Sequence, residues 1–265
     1  MSGLTALVLA GSRGPDDPMT VASGARHKAL ILVGGEPMLL RVIRALAAAP
    51  EISRIVVCIE KPEIVAQLPG LAQAAAGKPV TAFMAAGSPS RSVVAALAEL
   101  GTPLLVTTGD HALLRPEWVS HFIAHRPLAT DATVALARSD VVLNAAPGSQ
   151  RTFLHFREAW YSGCNLFYFA TPAATKLAML WQEVEVLRKQ PIRMLRLLGF
   201  GYALRYGLGW LSLGSALERL GALAGGVKAG VVEMPFGRAA IDVDKPDDLE
   251  LVERLLCEDR GRGRG

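Results

Sequence analysis

The residues most able to do chemistry begin with a glycine-bearing loop after an apolar run. The loop consists of Leu9, Ala10, Gly11, Ser12, Arg13 and Gly14. A glycine turn after a buried strand presents backbone N–H groups to an anion, and Arg13 would add charged donors. Lys28, downstream of a segment that reads as flexible, can fold back onto phosphates. An ordinary strand-to-helix turn and a solvated surface lysine are the alternatives.

Three carboxylates are placed where they could bind a divalent cation. The apolar run 104–107 ends at Thr108-Gly109-Asp110. Asp242 and Asp244 lie two residues apart on an extended segment, so their side chains share a face. Carboxylates at the ends of strands bind Mg²⁺ that bridges triphosphate oxygens. A turn or helix cap explains Asp110 about equally well, and a solvated edge explains the other two.

Apolar runs alternate with helical stretches and must position these groups. Strands are predicted at 5–9, 55–59, 80–84, 104–107, 132–137, 166–169 and 231–234. Helices are predicted at 37–49, 63–76, 90–100, 116–125, 172–190 and 247–257. This alternation predicts a three-layer α/β/α, Rossmann-like fold with a mostly parallel mixed sheet. Ligands of such sheets bind outside the carboxyl ends of the strands, where 11–28 and 109–110 fall.

Composition narrows the class of protein. The 265 residues are 51% apolar, which excludes global disorder, and the net charge of +4 suits an anionic small molecule. Cys58, Cys164 and Cys257 form neither a CxxC pair nor a disulfide framework, so we expect a reducing cytoplasm. The apolar N-terminal run is too short for a membrane span and lacks the basic region of a signal peptide. No aromatic-studded basic module is visible, so no nucleic-acid partner is expected.

A single domain is expected over 1–258, with a helical basic-apolar elaboration at about 185–225 and a disordered basic tail at 259–265. Within the elaboration, 188–213 is typical of an interfacial amphipathic element and predicts peripheral contact with the inner membrane face. A helical subdomain packed on the core is the favoured alternative. A homodimer contact is also open.

Taken in order, these motifs resemble the nucleotidyltransferase superfamily of MobA-like NTP transferases, which includes molybdenum-cofactor guanylyl- and cytidylyltransferases and sugar-nucleotide pyrophosphorylases. The family pattern is LAGG-x-x-R-x-G, a downstream lysine, a strand-end aspartate and D-x-x-x-D-L. It maps onto 9–14, Lys28, Asp110 and 244–249. The resemblance implies a GT-A-like nucleotidyltransferase fold, with Arg13, Lys28 and Asp110 as catalytic residues.

Two further stretches match the superfamily. Gly87 and Ser92 lie in a segment similar to the base-contacting part of cytidylyltransferases, and Asn165 lies in one similar to the strand that meets the second substrate. A capped helix and a buried aromatic strand are the plain alternatives. The chain departs from the pattern at Ser12, where a second glycine is usual, and in the extra residues between the loop and Lys28.

The resemblance implies transfer of a nucleoside monophosphate to a phosphorylated acceptor, with release of pyrophosphate. CTP is preferred over GTP, and the acceptor is a phosphorylated small molecule or a lipid headgroup. Asp110 and Asp244, supported by Asp242, would hold Mg²⁺, with Mn²⁺ as the alternative. The nucleotide would be bound by Leu9, Ala10, Gly11, Ser12, Gly14, Gly87, Ser92, Gly109 and Asn165. The competing functions are a nucleotide-sugar glycosyltransferase of GT-A type and a non-catalytic nucleotide-binding protein at a membrane.

Overall fold

The structure is a computed structural model, and it describes residues 3–12, 14, 17–187 and 190–262. The strands are β1 (Leu4–Leu9), β2 (Leu32–Val33), β3 (Glu36–Pro37), β4 (Ile52–Ile59), β5 (Val80–Met84), β6 (Leu104–Thr108), β7 (Ala132–Arg138), β8 (Leu154–His155), β9 (Trp160–Phe169) and β10 (Ala229–Glu233). The helices are α1 (Pro18–Ser23), α2 (Met38–Ala48), α3 (Glu63–Ala66), α4 (Leu71–Ala75), α5 (Pro89–Leu100), α6 (Pro116–His125), α7 (Ser139–Ala145), α8 (Thr175–Leu187), α9 (Pro191–Leu198), α10 (Phe200–Gly207), α11 (Leu213–Leu223) and α12 (Pro246–Arg262).

One mixed sheet of eight strands organises the molecule. Its order is β10-β7-β9-β6-β1-β4-β5, with β8 pairing on the first residues of β9. β9 is antiparallel to β6 and β7, whereas β1, β4, β5 and β6 are mutually parallel and β10 is parallel to β7. The predicted α/β fold with a mostly parallel mixed sheet is therefore confirmed.

Side chains alternate between the two faces of the sheet and build two cores. On β1, Ala6 and Val8 join the larger core with α2, α4, α6, α7 and α12. Leu7, between them, joins the smaller core with α5 and α8. Because both faces are covered by helices, both sets of side chains are apolar and fully buried.

Several elements differ from the sequence-based expectation. The helix expected at 63–76 is two short helices, α3 and α4, because Pro69 and Gly70 interrupt it and Gly70 adopts a left-handed φ of 82°. β9 begins at Trp160, six residues before the predicted strand. α12 continues to Arg262 and thus includes 259–262, which were expected in a disordered tail. Residues 263–265 of that tail lie outside the described residues.

The elaboration at about 185–225 contains α9, α10 and α11. Leu197 and Leu220 pack against Leu180 of α8, and Tyr202 packs near Leu211 in a separate small cluster. None of the helices in the described part of the chain is long and apolar enough to cross a bilayer.

Candidate active site

The glycine loop and Asp110 meet where β1 and β6 end side by side. The amide of Gly109 donates to the carbonyl of Leu9 at 2.8 Å, and the amide of Ala10 donates to Cys58 of β4, also at 2.8 Å. A Cβ at residue 109 would lie only 3.1 Å from the Cβ of Ala10, so glycine permits this close approach. The loop and the strand-end aspartate are therefore adjacent, as predicted.

Lys28 joins the two ends of the chain at this edge. Its Nζ donates to Oδ2 of Asp110 and to Oδ1 of Asp244, each at 2.8 Å. Lys28 opens a short 3-10 helix whose first turn is capped by His27, since Ala29 N–H donates to His27 Nδ1 at 3.1 Å. The segment carrying Asp244 is held by Val243, whose amide donates to the carbonyl of Asp110 at 3.1 Å.

Burial and charge set the protonation of this cluster. Burial raises the pKa of Asp110, the nearby charge of Asp242 raises it further, and Lys28 opposes both effects. Burial alone would lower the pKa of Lys28, but Asp110 and Asp244 outweigh it, so the pKa of the ammonium lies above its ordinary value. Lys28 is thus a permanent cation between two carboxylates at neutral pH.

Asp242 is turned toward different partners from those of Asp244. It forms a close ion pair with Arg151, and Nδ2 of Asn165 donates to its Oδ2 at 2.6 Å. Asp242 is buried, and Asn165 adopts a left-handed φ of 49° within β9. In this arrangement Asp242 holds Arg151 and Asn165 in place beside the Lys28 cluster. Arg151 carries no motif that reveals this role from sequence.

Glu60, which follows β4, faces the glycine loop and was also not predicted. Both oxygens of its carboxylate lie 3.3 Å from the amide nitrogen of Ser12. His27 Nε2 lies 2.8 Å from Oε1 of Glu60. Because Nδ1 of His27 accepts from Ala29, the hydrogen-bond network assigns the ring proton to Nε2, which donates to Glu60. The Glu60 carboxylate therefore accepts from the Ser12 amide, a donor that an anionic ligand of the loop would otherwise use.

A cavity of about 730 Å³ opens between the start of α5, the helix that follows β5, and the end of α8. Gly87, with a φ of 82°, lines it together with Ser88, Ser90 and Arg91 at the start of α5 and with residues 182, 183 and 185–187 of α8. Ser92 is buried and accepts a hydrogen bond from the amide of Ala86 at 2.9 Å. The volume of the cavity falls in the usual range for small-molecule sites. Gly87 thus borders the cavity, whereas Ser92 shapes the turn leading into it.

The cluster of Lys28, Asp110 and Asp244 suits a divalent cation whose coordination would be completed by oxygens of the substrate. Oxygens of Asp110 and Asp244 converge on one point, the Lys28 ammonium, and Oδ1 of Asp110 is buried without a hydrogen-bond partner among the described residues. The described part of the chain holds no ready group of three or more His, Cys, Asp or Glu ligands. Mg²⁺ is commonly bound by one or two carboxylates together with substrate phosphates, which is the case these residues suit. Arg13 lies outside the described residues.

Comparison with known proteins decides the family. The sequence model of the MobA-like NTP transferase domain matches residues 6–193, which include the loop, Lys28 and Asp110. The chain belongs to this MobA-like NTP transferase family. It is accordingly a nucleotidyltransferase, and the predicted resemblance is confirmed. A search of curated proteins found no significant match.

Solved structures agree with the fold of a MobA-like NTP transferase. A hypothetical transferase from Thermus thermophilus is 28% identical, with a TM-score of 0.79 over 93% of this chain and 99% of that one. The 4-diphosphocytidyl-2C-methyl-D-erythritol synthase of Anaerococcus prevotii is 13% identical, with a TM-score of 0.59 over 96% of each chain. A CMP:2-keto-3-deoxy-manno-octonic acid synthetase complexed with CTP is 13% identical, with a TM-score of 0.51 over 97% of this chain and 98% of that one.

Proposed function

We propose that this MobA-like NTP transferase transfers CMP from CTP to a phosphorylated acceptor and releases pyrophosphate, with a divalent cation, Mg²⁺ or Mn²⁺, at Asp110 and Asp244. The observation that carries the proposal is the meeting of Lys28, Asp110 and Asp244 beside the glycine loop. One cation and two carboxylates at the carboxyl edge of a parallel sheet suit a triphosphate and its counter-ion.

The order of groups along the sheet edge supports a layout for the substrates. The cavity at Gly87 lies at the start of α5, the helix that follows β5. The loop follows β1, Asp110 follows β6, and Asn165 lies in β9, the strand next to β6. We assign the nucleobase to the cavity, the phosphates to the loop and the acceptor to the side of Asn165. Leu9, Ala10, Gly11, Ser12, Gly14 and Gly109 form the backbone that would surround the phosphates.

In the proposed reaction an oxygen of the acceptor phosphate bonds to the α-phosphorus of the nucleotide. The bond from the α-phosphorus to the oxygen bridging to the β-phosphorus breaks, and its electron pair leaves with pyrophosphate. A phosphomonoester is already anionic near neutral pH, so no general base is required. The protein then contributes mainly position and charge.

Each charged group has a task in this scheme. Lys28 would release its two carboxylates and contact the α-phosphate, and Arg13 would contact the departing pyrophosphate. A divalent cation bound at Asp110 and Asp244 would neutralise phosphate oxygens. Asp242 would fix Asn165 and Arg151 toward the acceptor and support the metal site through the charge it places beside Asp110.

Cytidine specificity is supported by two observations. The Gly87–Ser92 turn opens the cavity, and two solved structures of similar fold bear titles that name a diphosphocytidyl product or bound CTP. GTP is the competing nucleotide.

The test is a screen of four nucleoside triphosphates against phosphorylated acceptors, read by pyrophosphate release with Mg²⁺ or Mn²⁺. We expect release with CTP and a loss of about 100- to 1,000-fold in turnover for Asp110→Asn and for Asp244→Asn. Asp247→Asn is the matched control, because Asp247 is exposed on the first turn of α12. Undiminished release by Asp110→Asn, or transfer of a sugar without pyrophosphate, would refute the proposal.

A further inference from the structure

Most of the elaboration carries basic side chains without acidic ones. Residues 186–217 contain five Lys or Arg and no Asp or Glu. Of these cations, Arg193 and Arg196 are exposed on α9 and Arg205 is exposed on α10, whereas Arg188 and Lys189 lie outside the described residues. The whole chain has 28 basic and 24 acidic residues, so this stretch departs sharply from the mixed charge found elsewhere.

The same stretch exposes large apolar side chains. We define the aromatic surface as Phe200, Leu204, Tyr206, Leu208 and Trp210. Phe200 is 74% exposed and Trp210 is 67% exposed. Isolated exposed apolar residues are ordinary, but these five lie within eleven residues of sequence. Such a group of exposed apolar side chains indicates a binding surface.

Contacts with the β8–β9 hairpin hold the aromatic surface in place. The hydroxyl of Tyr206 accepts from the amide of His155 at 3.4 Å, and Gly209 packs directly on the His155 ring. That ring lies 4.8 Å from the ring of Trp160, which is itself half exposed. The surface is therefore tied to the start of β9 rather than carried on a free loop.

This placement brings the aromatic surface to the edge of the sheet that holds the site. β9 is antiparallel to its neighbours, so its first residues lie at their carboxyl ends, where Tyr161 pairs with Arg138 at the end of β7. Trp160 and Asn165 are five residues apart on this strand, or about 15 Å. The acceptor side of the site and the aromatic surface thus lie at the same end of the molecule.

We propose that the aromatic surface and the arginines of α9 and α10 dock this protein on an anionic membrane surface. Trp and Tyr favour the boundary between headgroups and acyl chains, and arginines attract anionic headgroups. A second copy of this chain is a poorer occupant. A twofold interface pairs a patch with itself and would place arginines against arginines with no acid in the stretch.

Membrane docking can be tested independently of nucleotidyl transfer, because docking is measured without nucleotide or acceptor. Where both hold, the docked protein presents its acceptor side to the headgroups, which favours a phosphate carried on a lipid. A failure of docking would leave the proposed reaction untouched. A failure of turnover would leave docking untouched.

The experiment is co-sedimentation of the full chain with vesicles of phosphatidylcholine, or of an equal mixture with phosphatidylglycerol. We expect binding to the anionic vesicles that falls as salt is raised, and little binding to the neutral ones. Charge reversal at Arg193, Arg196 and Arg205 is expected to weaken binding by at least about 100-fold, since each arginine near such a surface contributes about 1 kcal/mol. Phe200→Ser with Trp210→Ser is expected to weaken it by about tenfold or more.

Matched controls keep the result specific. Leu128→Ser removes an exposed apolar side chain just before β7, at the opposite edge, and Arg54→Glu with Arg254→Glu reverses exposed arginines elsewhere. Both controls are expected to bind as the parent chain does, and thermal melting checks that every variant folds. Absence of binding to anionic vesicles overturns the proposal, as does equal loss in the controls. A solution dimer that dissociates in Phe200→Ser/Trp210→Ser would assign the aromatic surface to a second copy instead.

Discussion

Replacing Lys28 with Met is expected to raise the affinity of the protein for a divalent cation and to lower its turnover. In the structure the Lys28 ammonium lies 2.8 Å from an oxygen of Asp110 and 2.8 Å from an oxygen of Asp244. A divalent cation entering between the same carboxylates has to displace that ammonium. Without nucleotide, removal of Lys28 should therefore strengthen cation binding, although the same change removes the charge proposed to act on the α-phosphate.

The contacts set the size of the effect. A hydrogen bond to a charged group contributes about 1.5–3 kcal/mol, and we use the lower part of this range because the Asp110 side chain keeps 20% of its surface exposed. The Asp244 side chain is 49% exposed, so solvent screens its share and we add little for it. A total of about 1.5–2 kcal/mol corresponds to about 10- to 30-fold tighter Mn²⁺ binding. Turnover should fall by about 100- to 1,000-fold, as for other lost contacts to a developing charge.

Mn²⁺ titration of nucleotide-free protein, followed by electron paramagnetic resonance of the free ion, measures the first effect. Pyrophosphate release with CTP measures the second. Lys61→Met is the control, because Lys61 is exposed just after β4 at the same edge of the sheet. Unchanged or weaker Mn²⁺ binding in Lys28→Met would show that the lysine and the metal do not compete for one position.

Three more changes follow from the site. Glu60→Gln should lower the KM for CTP by about fivefold in initial-rate assays, because it removes a like charge beside the triphosphate; an unchanged KM contradicts this. Arg151→Met should lower the free energy of unfolding in urea by about 3–5 kcal/mol by leaving the buried Asp242 carboxylate unpaired, and Asp242→Asn in the same chain should restore most of it. Burial lowers the pKa of His111 to about 4 from an ordinary 6.5, so the unfolded chain takes up its proton first as pH falls. His111 alone should then account for a loss of about 2 kcal/mol of stability between pH 7 and pH 5, and a His111→Phe variant should lack this part of the loss in paired urea titrations.

The parts predictable from sequence are those encoded locally. The strand 80–84 and the helix 116–125 begin and end where the sequence predicts, because apolar spacing and flanking Pro or Gly mark them. The meeting of Lys28 with Asp110 and Asp244 was anticipated from the resemblance and the rule for strand ends. α1 was missed although Asp17 caps it and Pro18 starts it, a pair that signals a helix start.

Glu60 and Arg151 could not be predicted in the same way. Glu60 meets Ser12 across 48 residues of sequence. Arg151, between α7 and β8, meets Asp242, which lies shortly before α12. Which polar side chains converge there depends on the strand order, and nothing local specifies it. Several expectations stay predictions: the identity of the metal, the nucleotide and the acceptor, a cytoplasmic location, the lack of nucleic-acid partners and a homodimer.

The link from Lys28 to Asp244 has a consequence for the timing of assembly. The two residues are separated by 216 positions, and the intervening chain contains most of the sheet. At about 5–20 residues per second, a ribosome needs about 10–40 s to make that stretch. The glycine loop and Lys28 are thus synthesised long before one of their carboxylates exists. A nascent chain therefore lacks a complete triphosphate site until the segment carrying Asp244 has been made, which ties the onset of activity to the synthesis of that segment.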